Sequence, residues 1–233
     1  MQFPDPLIHG TLLRRYKRFL ADILLDNGEE ITAHCANPGA MLGLTQIGSE
    51  VWLSPSRNPK RKLKYSWELM HADGGLVGIN TAHPNGLVEE AISEIMVKEL
   101  AGYDSIRREV KYGKNSRVDI LLGAESKPDC YVEVKNVHLM RQPGLAEFPD
   151  SVTKRGAKHL VELGEMARAG NRAVMFYLVQ RTDCNRFSIA TDIDPTYASE
   201  LEKAMVQGVE AICYDCSINT EGIKVRAPLR LDL

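Results

Sequence analysis

The pattern of apolar and polar positions changes character near residue 82. Before that point, short apolar runs alternate with turn residues. The stretch 12–26 reads as long and extended, and Asp26-Asn27-Gly28-Glu29 as a hairpin turn, because Asn and Gly tolerate positive φ. The chain returns over 30–36. After Asn37-Pro38-Gly39 the spacing predicts strands at 50–54, 63–71 and 76–80, with Gly74-Gly75 as a turn. Five short strands with little helix predict a small barrel such as the OB-fold over 1–81. From Pro84 the period lengthens. Val88, Ala91, Ile92, Ile95 and Met96 predict an amphipathic helix over 86–101. Strands follow at 106–112, 116–122 and 130–137, then a helix at 152–168. The unbroken apolar run 173–179 reads as a buried strand. A helix at 195–207, a strand at 209–214 and a short tail complete the chain. That order gives a mixed α/β domain over 82–233.

Alternation along 116–137 places chemistry on one face. A turn centred on Ser126 pairs Asp119 with Glu133 and Arg117 with Lys135. Val118, Ile120, Leu122, Val132 and Val134 then form an apolar face, and Arg117, Asp119, Leu121, Tyr131, Glu133 and Lys135 the opposite one. Facing carboxylates need a cation, a proton or water between them. In the catalytic reading Asp119 and Glu133 hold magnesium (or manganese), whose hard oxygen chemistry suits phosphodiester hydrolysis. Lys135 there orients the attacking water or neutralises the phosphate. In the bland reading Arg117 and Lys135 balance the two acids on an open, solvated face.

Composition refines this picture. The chain has 233 residues with 29 Lys+Arg against 31 Asp+Glu, a net charge of −2. All nine basic residues of the first 80 fall in two clusters: Arg14, Arg15, Lys17, Arg18, and Arg57, Lys60, Arg61, Lys62, Lys64. Such clusters suit phosphate contact, with Arg15, Arg18, Lys60, Arg61 and Lys62 as the candidates, or form solvated faces. The longest apolar run, seven residues, falls far short of the ~20 a membrane helix needs. The start Met1-Gln2-Phe3-Pro4-Asp5-Pro6 lacks the features of a signal peptide. Five irregularly spaced cysteines fit a reducing cytoplasm, and Cys213-Tyr214-Asp215-Cys216 has no second pair with which to bind zinc. Lys154, Arg155, Lys158 and His159 share neighbouring stripes of the 152–168 helix, a phosphate site or a solvated face. Glu89 and Glu90 fall in the first turn of the 86–101 helix, where acids suit the helix dipole.

Asp119 followed by Glu133-Val134-Lys135, on consecutive strands of an αβββαβ order, resembles the PD-(D/E)xK nuclease superfamily. More closely, the chain resembles the sugar fermentation stimulation protein A family. The matching stretches are Arg15-Tyr16-Lys17-Arg18-Phe19, the run from Ala33 to Met41, Ser116-Arg117-Val118-Asp119, Glu133-Val134-Lys135-Asn136-Val137, and the run from Phe148 to Leu160. The resemblance implies an OB-fold domain before a nuclease-like domain, sequence-non-specific DNA binding, and a regulatory link to sugar (maltose) utilisation. It also implies a functional role for Lys154 and a further metal-binding carboxylate from the first helix, Glu89 or Glu90. His159 stays open. Val118 stands where the superfamily motif has proline, and Ala40 where a basic residue is expected, which weakens phosphate contact at that loop. The expectation is a DNA-binding protein with a magnesium-dependent nuclease site; the alternative is a binding-only regulator.

Overall fold

The structure, a computed structural model, describes residues 1–113 and 116–233. The first part comprises β1 (Ile8–Tyr16), β2 (Leu20–Leu25), β3 (Glu30–His34), β4 (Glu50–Pro55), β5 (Tyr65–Ala72) and β6 (Gly75–Gly78). Their order is β3-β2-β1-β4-β5-β6, and pairing of His34 with Ser66 joins β3 to β5, closing five strands into a barrel. Leu12, Ile23, Leu53 and Trp67 fill it. The expected Asn27-Gly28 turn is present, with Gly28 at φ 85°. The stretch 12–26 is not one extended segment, however. It folds back at Lys17 and Arg18, both with positive φ, so that Tyr16 pairs with Leu20. No glycine marks that turn, which is why the pattern concealed it.

The second part runs α1 (Pro84–Ser93), a 3-10 turn (Lys98–Leu100), β7 (Ser105–Tyr112), β8 (Ser116–Ala124), β9 (Lys127–Val137), β10 (Leu139–Gln142) and β11 (Leu145–Phe148). It continues through α2 (Lys154–Arg168), β12 (Arg172–Val179), β13 (Arg186–Ile189), α3 (Pro195–Val206), β14 (Val209–Ile218), β15 (Ile223–Pro228) and β16 (Arg230–Asp232). The main sheet has the order β15-β14-β12-β9-β8-β7, with β9, β12 and β14 parallel. Val174, Phe176 and Leu178 of β12 face the α1 side, whereas Met175, Tyr177 and Val179 face α2 and α3. A parallel strand covered on both faces reads as a continuous apolar run. The αβββαβ order is therefore present, with additions.

Those additions correct the sequence reading. β10, β11, β13 and β16 form a separate four-stranded sheet, and β15 occupies what read as a tail. Each is short, three to six residues, and too brief for periodicity to register. The first helix begins at Pro84 and ends at Ser93, not at 101. Ile95 adopts a left-handed φ of 59°, and Met96 N bonds back to Ala91 O, a helix-ending pattern that usually uses glycine. Ile95 is consequently 65% exposed, and Val97 and Leu100 take the buried positions. Because the helix starts early, Glu89 and Glu90 lie beyond its first turn, so the dipole argument does not apply to them.

Two junctions bind the barrel to the α/β part. Beside β6, Gly78 N donates to Gln180 O and Thr182 N to Leu76 O, while Arg181 reaches Asp73, Asp183 and the His138 carbonyl. At the second, Asp150 accepts from Met41 N at 2.9 Å. Among the described residues no helix is long and apolar enough to cross a membrane.

Candidate functional site

Ile120 pairs with Val132 and Leu121 with Tyr131, a register that would set Asp119 opposite Glu133 if extended by one residue. At that step the pairing loosens. Asp119 Oδ2 accepts from Val134 N at 2.8 Å, and Asn85 Nδ2, in the first turn of α1, donates to Oδ1 at 2.8 Å. Alternation also breaks here. Val118 packs with Tyr112 and Leu121, whereas Ile120 and Leu122 join the α1-side core. Val118 and Ile120 therefore do not share a face, contrary to expectation. Glu109, on the neighbouring strand, takes a left-handed φ of 52° beside the distortion.

Glu133 is 2% exposed. Lys135 Nζ donates to its Oε1 at 2.7 Å, and His159 Nδ1 contacts the same oxygen. Arg155 Nε donates to His159 Nε2 at 3.3 Å, which leaves the ring proton on Nδ1, facing the carboxylate. Glu133 Oε2 has no hydrogen-bond partner among the described residues. Burial raises the pKa of Glu133, but His159 and Lys135 outweigh it and hold the carboxyl below its ordinary value. Asp119 moves the other way: burial and the charge of Glu133 raise it, against Val134 N, Lys135 and Asn85. One acid is held charged and the other is pushed toward its neutral form.

Glu89 does not join them. It faces Arg108 at 3.5 Å, and Glu90 pairs with the N-terminal ammonium. The α1 side chain that reaches Asp119 is Asn85, one turn earlier. Among the described residues no three His, Cys, Asp or Glu side chains converge to hold a metal, so the expected Asp119–Glu133–Glu89 set is not assembled. His159, which the sequence left unassigned, is the α2 side chain that meets Glu133; its signal was its place with Gly156, Leu160 and Leu163 on the buried stripe of α2. Lys154 is exposed at the start of that helix. One turn beyond His159, Glu162 is buried with both oxygens lacking hydrogen-bond partners, Lys158 Nζ lying at 3.6 Å.

The basic clusters divide. Arg15 Nη2 donates to the carbonyls of Arg18, Asn37 and Gly39, so this nitrogen clamps a loop where the sequence suggested a phosphate contact. Arg14 pairs with Asp22 and Arg57 with Asp5. Arg61 is half-buried, and its charge, second to burial, lowers the pKa of His34. Lys17, Arg18, Lys60 and Lys62 are exposed without an ion-pair partner among the described residues.

The geometry supports a stability test. An Asp whose folded pKa is raised binds its proton more tightly when folded, so stability falls as pH rises through that folded pKa. Asp119→Asn removes this dependence, and Asn85 can turn its amide over to present an oxygen to the new NH2. The variant is expected to match wild type in urea unfolding at pH 4 and exceed it at pH 8. The gain is ~0.5 kcal/mol or more, the scale of a like-charge pair across strands. Equal stability at both values would show that Asp119 is not repelled.

A closed OB-type barrel joined to an α/β domain, with the buried Glu133 beside the half-buried Asp119 and Lys135, defines the class of protein. The family profiles described as the SfsA N-terminal OB domain and the sugar fermentation stimulation protein RE domain match residues 13–79 and 82–222. The chain belongs to the sugar fermentation stimulation protein family. It is 62% identical over 233 residues to a sugar fermentation stimulation protein homolog of Paramagnetospirillum magneticum, covering 100% of this chain and 98% of that protein. It is 60% identical to the homolog of Rhodospirillum centenum, covering 99% of each. The solved structure of Pyrococcus furiosus SfsA in complex with Ca2+ matches 100% of this chain and 98% of its own, with a TM-score of 0.90 at 26% identity.

Proposed function

We propose that this protein binds DNA without reading sequence and hydrolyses phosphodiester bonds at Asp119, Glu133 and Lys135. The observation that carries the reading is Glu133: a buried carboxylate with Oε1 fixed by Lys135 and His159 and Oε2 without a partner. A buried acceptor left open costs stability unless a ligand uses it. Asp119 and Glu133 fit a hard cation such as magnesium or manganese, which keeps several waters and needs only one or two carboxylates. The Pyrococcus furiosus relative was solved in complex with Ca2+, itself a hard, oxygen-preferring cation. When bound, such a cation lowers the pKa of a water ligand and offsets phosphate charge. His159 and Lys135 hold Glu133 in place, with Arg155 fixing the imidazole tautomer. Lys135 also orients the attacking water or faces the scissile phosphate, and Lys154 takes a neighbouring phosphate from the exposed start of α2. A cytoplasmic location suits the five cysteines, all free and buried.

The barrel supplies sequence-independent attraction through its unpaired cations. Each phosphate neutralised on duplex DNA contributes about −0.9 to the slope of log K against log salt. Changing Lys60 and Lys62 together to Ala should weaken binding by about an order of magnitude on unrelated sequences and flatten the slope by about 2. An unchanged slope would move DNA contact off this loop. Incubating labelled single-stranded, duplex and branched DNA with Mg2+ tests hydrolysis; cleavage that stops in EDTA supports the reading.

A further inference from the structure

Phe19 is 53% exposed beside the tip of the β1–β2 hairpin. The backbone presenting it is costly. Lys17 and Arg18 sit at φ 49° and 63°, a left-handed backbone that a residue with a Cβ adopts only at a steric cost. A turn shaped for stability alone would carry Asn or Gly there and a polar side chain next to it. Instead the turn is clamped. Arg15 Nη2 donates to Arg18 O at 2.7 Å, Asn37 O at 2.8 Å and Gly39 O at 3.0 Å, and Cys35 N donates to Phe19 O at 2.9 Å. The ring is held outward on a fixed frame.

That frame is tied to the candidate catalytic strand. The Asn37–Gly39 loop leads to Met41, whose N–H donates to Asp150. Asp150 contacts His138 Nε2 at 3.3 Å, and His138 Nδ1 meets Asn136 at 3.0 Å. Asn136 follows Lys135 on β9. Among the exposed large apolar side chains of the described residues, Phe19 alone is aromatic. Ile47 lies between Gln46 and Gly48, and Val206 between Met205 and Gln207. Phe19 follows two cations, Lys17 and Arg18, whose side chains have no ion-pair partner among the described residues.

We propose that Phe19 stacks on an unpaired nucleobase, with Lys17 and Arg18 on the flanking phosphates, so that the preferred substrate is single-stranded DNA or a frayed end. The proposal rests on the DNA-binding reading above. A duplex hides its base faces within the stack; only an unpaired base offers one to an aromatic ring.

Fluorescence anisotropy in EDTA tests it, with a labelled single strand of about 15 nucleotides, the length of one barrel's footprint, and a closed dumbbell duplex without open ends. Phe19→Ala should weaken single-strand binding about tenfold, within the range for losing one stacked base, and leave the dumbbell within about twofold. Phe19→Trp should restore single-strand affinity. Lys17→Ala with Arg18→Ala should weaken both and flatten the salt dependence. Thermal unfolding of Phe19→Ala should match wild type, since the ring is exposed. Unchanged single-strand affinity in Phe19→Ala, or equal losses on both probes, overturns the stacking role and leaves DNA binding intact. Failure of wild type to bind either probe overturns both.

Discussion

Glu133→Gln is expected to lower magnesium-dependent cleavage by at least ~100-fold, the scale of losing one key electrostatic group, while binding in EDTA stays within about twofold. The amide retains an oxygen for Lys135 and His159, so the local hydrogen bonds survive. Its NH2 replaces the unpartnered Oε2, which removes the negative donor without clashing with a neighbouring N–H. Lys135→Ala is expected to lose activity on the same scale by a different route, with cation binding largely kept, because Asp119 and Glu133 remain. Titration with Mn2+ separates the two variants: weak binding in Glu133→Gln and near-native binding in Lys135→Ala. If wild type cuts none of the DNA substrates with Mg2+ or Mn2+, the binding-only reading replaces the enzymatic one. Trace cleavage that persists unchanged in both variants would be contamination.

Arg181→Ala is expected to destabilise the protein by about 3–5 kcal/mol, the range for stripping one partner from a buried ion pair. Arg181 is 1% exposed, and its fork binds Asp183 at 2.8 and 2.7 Å, Asp73 at 3.0 Å and the His138 carbonyl at 3.1 Å. Asp73 lies in the β5–β6 turn of the barrel, so this guanidinium bridges the two parts at one of their junctions. Removing it leaves Asp183 and a carbonyl in a poorly solvated junction. Arg181→Lys keeps the charge but loses the planar fork, and should fall between Ala and wild type. Urea unfolding measures all three. A loss below about 1 kcal/mol for Ala would assign docking to the backbone bonds of β6 instead.

The carboxylate pair was legible because its information is local. A two-residue side-chain period and a turn centred on Ser126 suffice to set Asp119 opposite Glu133, and the Ile120–Val132 register would do the same if extended by one residue. The two-sided apolar run of β12 was equally plain. The end of α1 was not, because Ile95 occupies the left-handed position where glycine would have signalled a stop. The Lys17–Arg18 turn was hidden for the same reason. Glu89 misled because periodicity places a residue on a stripe of a helix without saying which turn of it meets the sheet. Asn85 meets Asp119, and Glu89, four residues later, meets Arg108.

By itself, then, the sequence determined the barrel and the αβββαβ order, features set by periodicity and short turns. Tertiary structure decided how the individual residues are used. It placed His159 of α2 against Glu133, turned Arg15 inward as a loop clamp, and docked the barrel through Arg181 and Asp150. Those contacts join residues from about 20 to more than 100 positions apart, and their geometry depends on how packed elements meet in space. A spacing pattern carries no term for that distance, whereas a hydrogen bond requires its two atoms at about 3 Å.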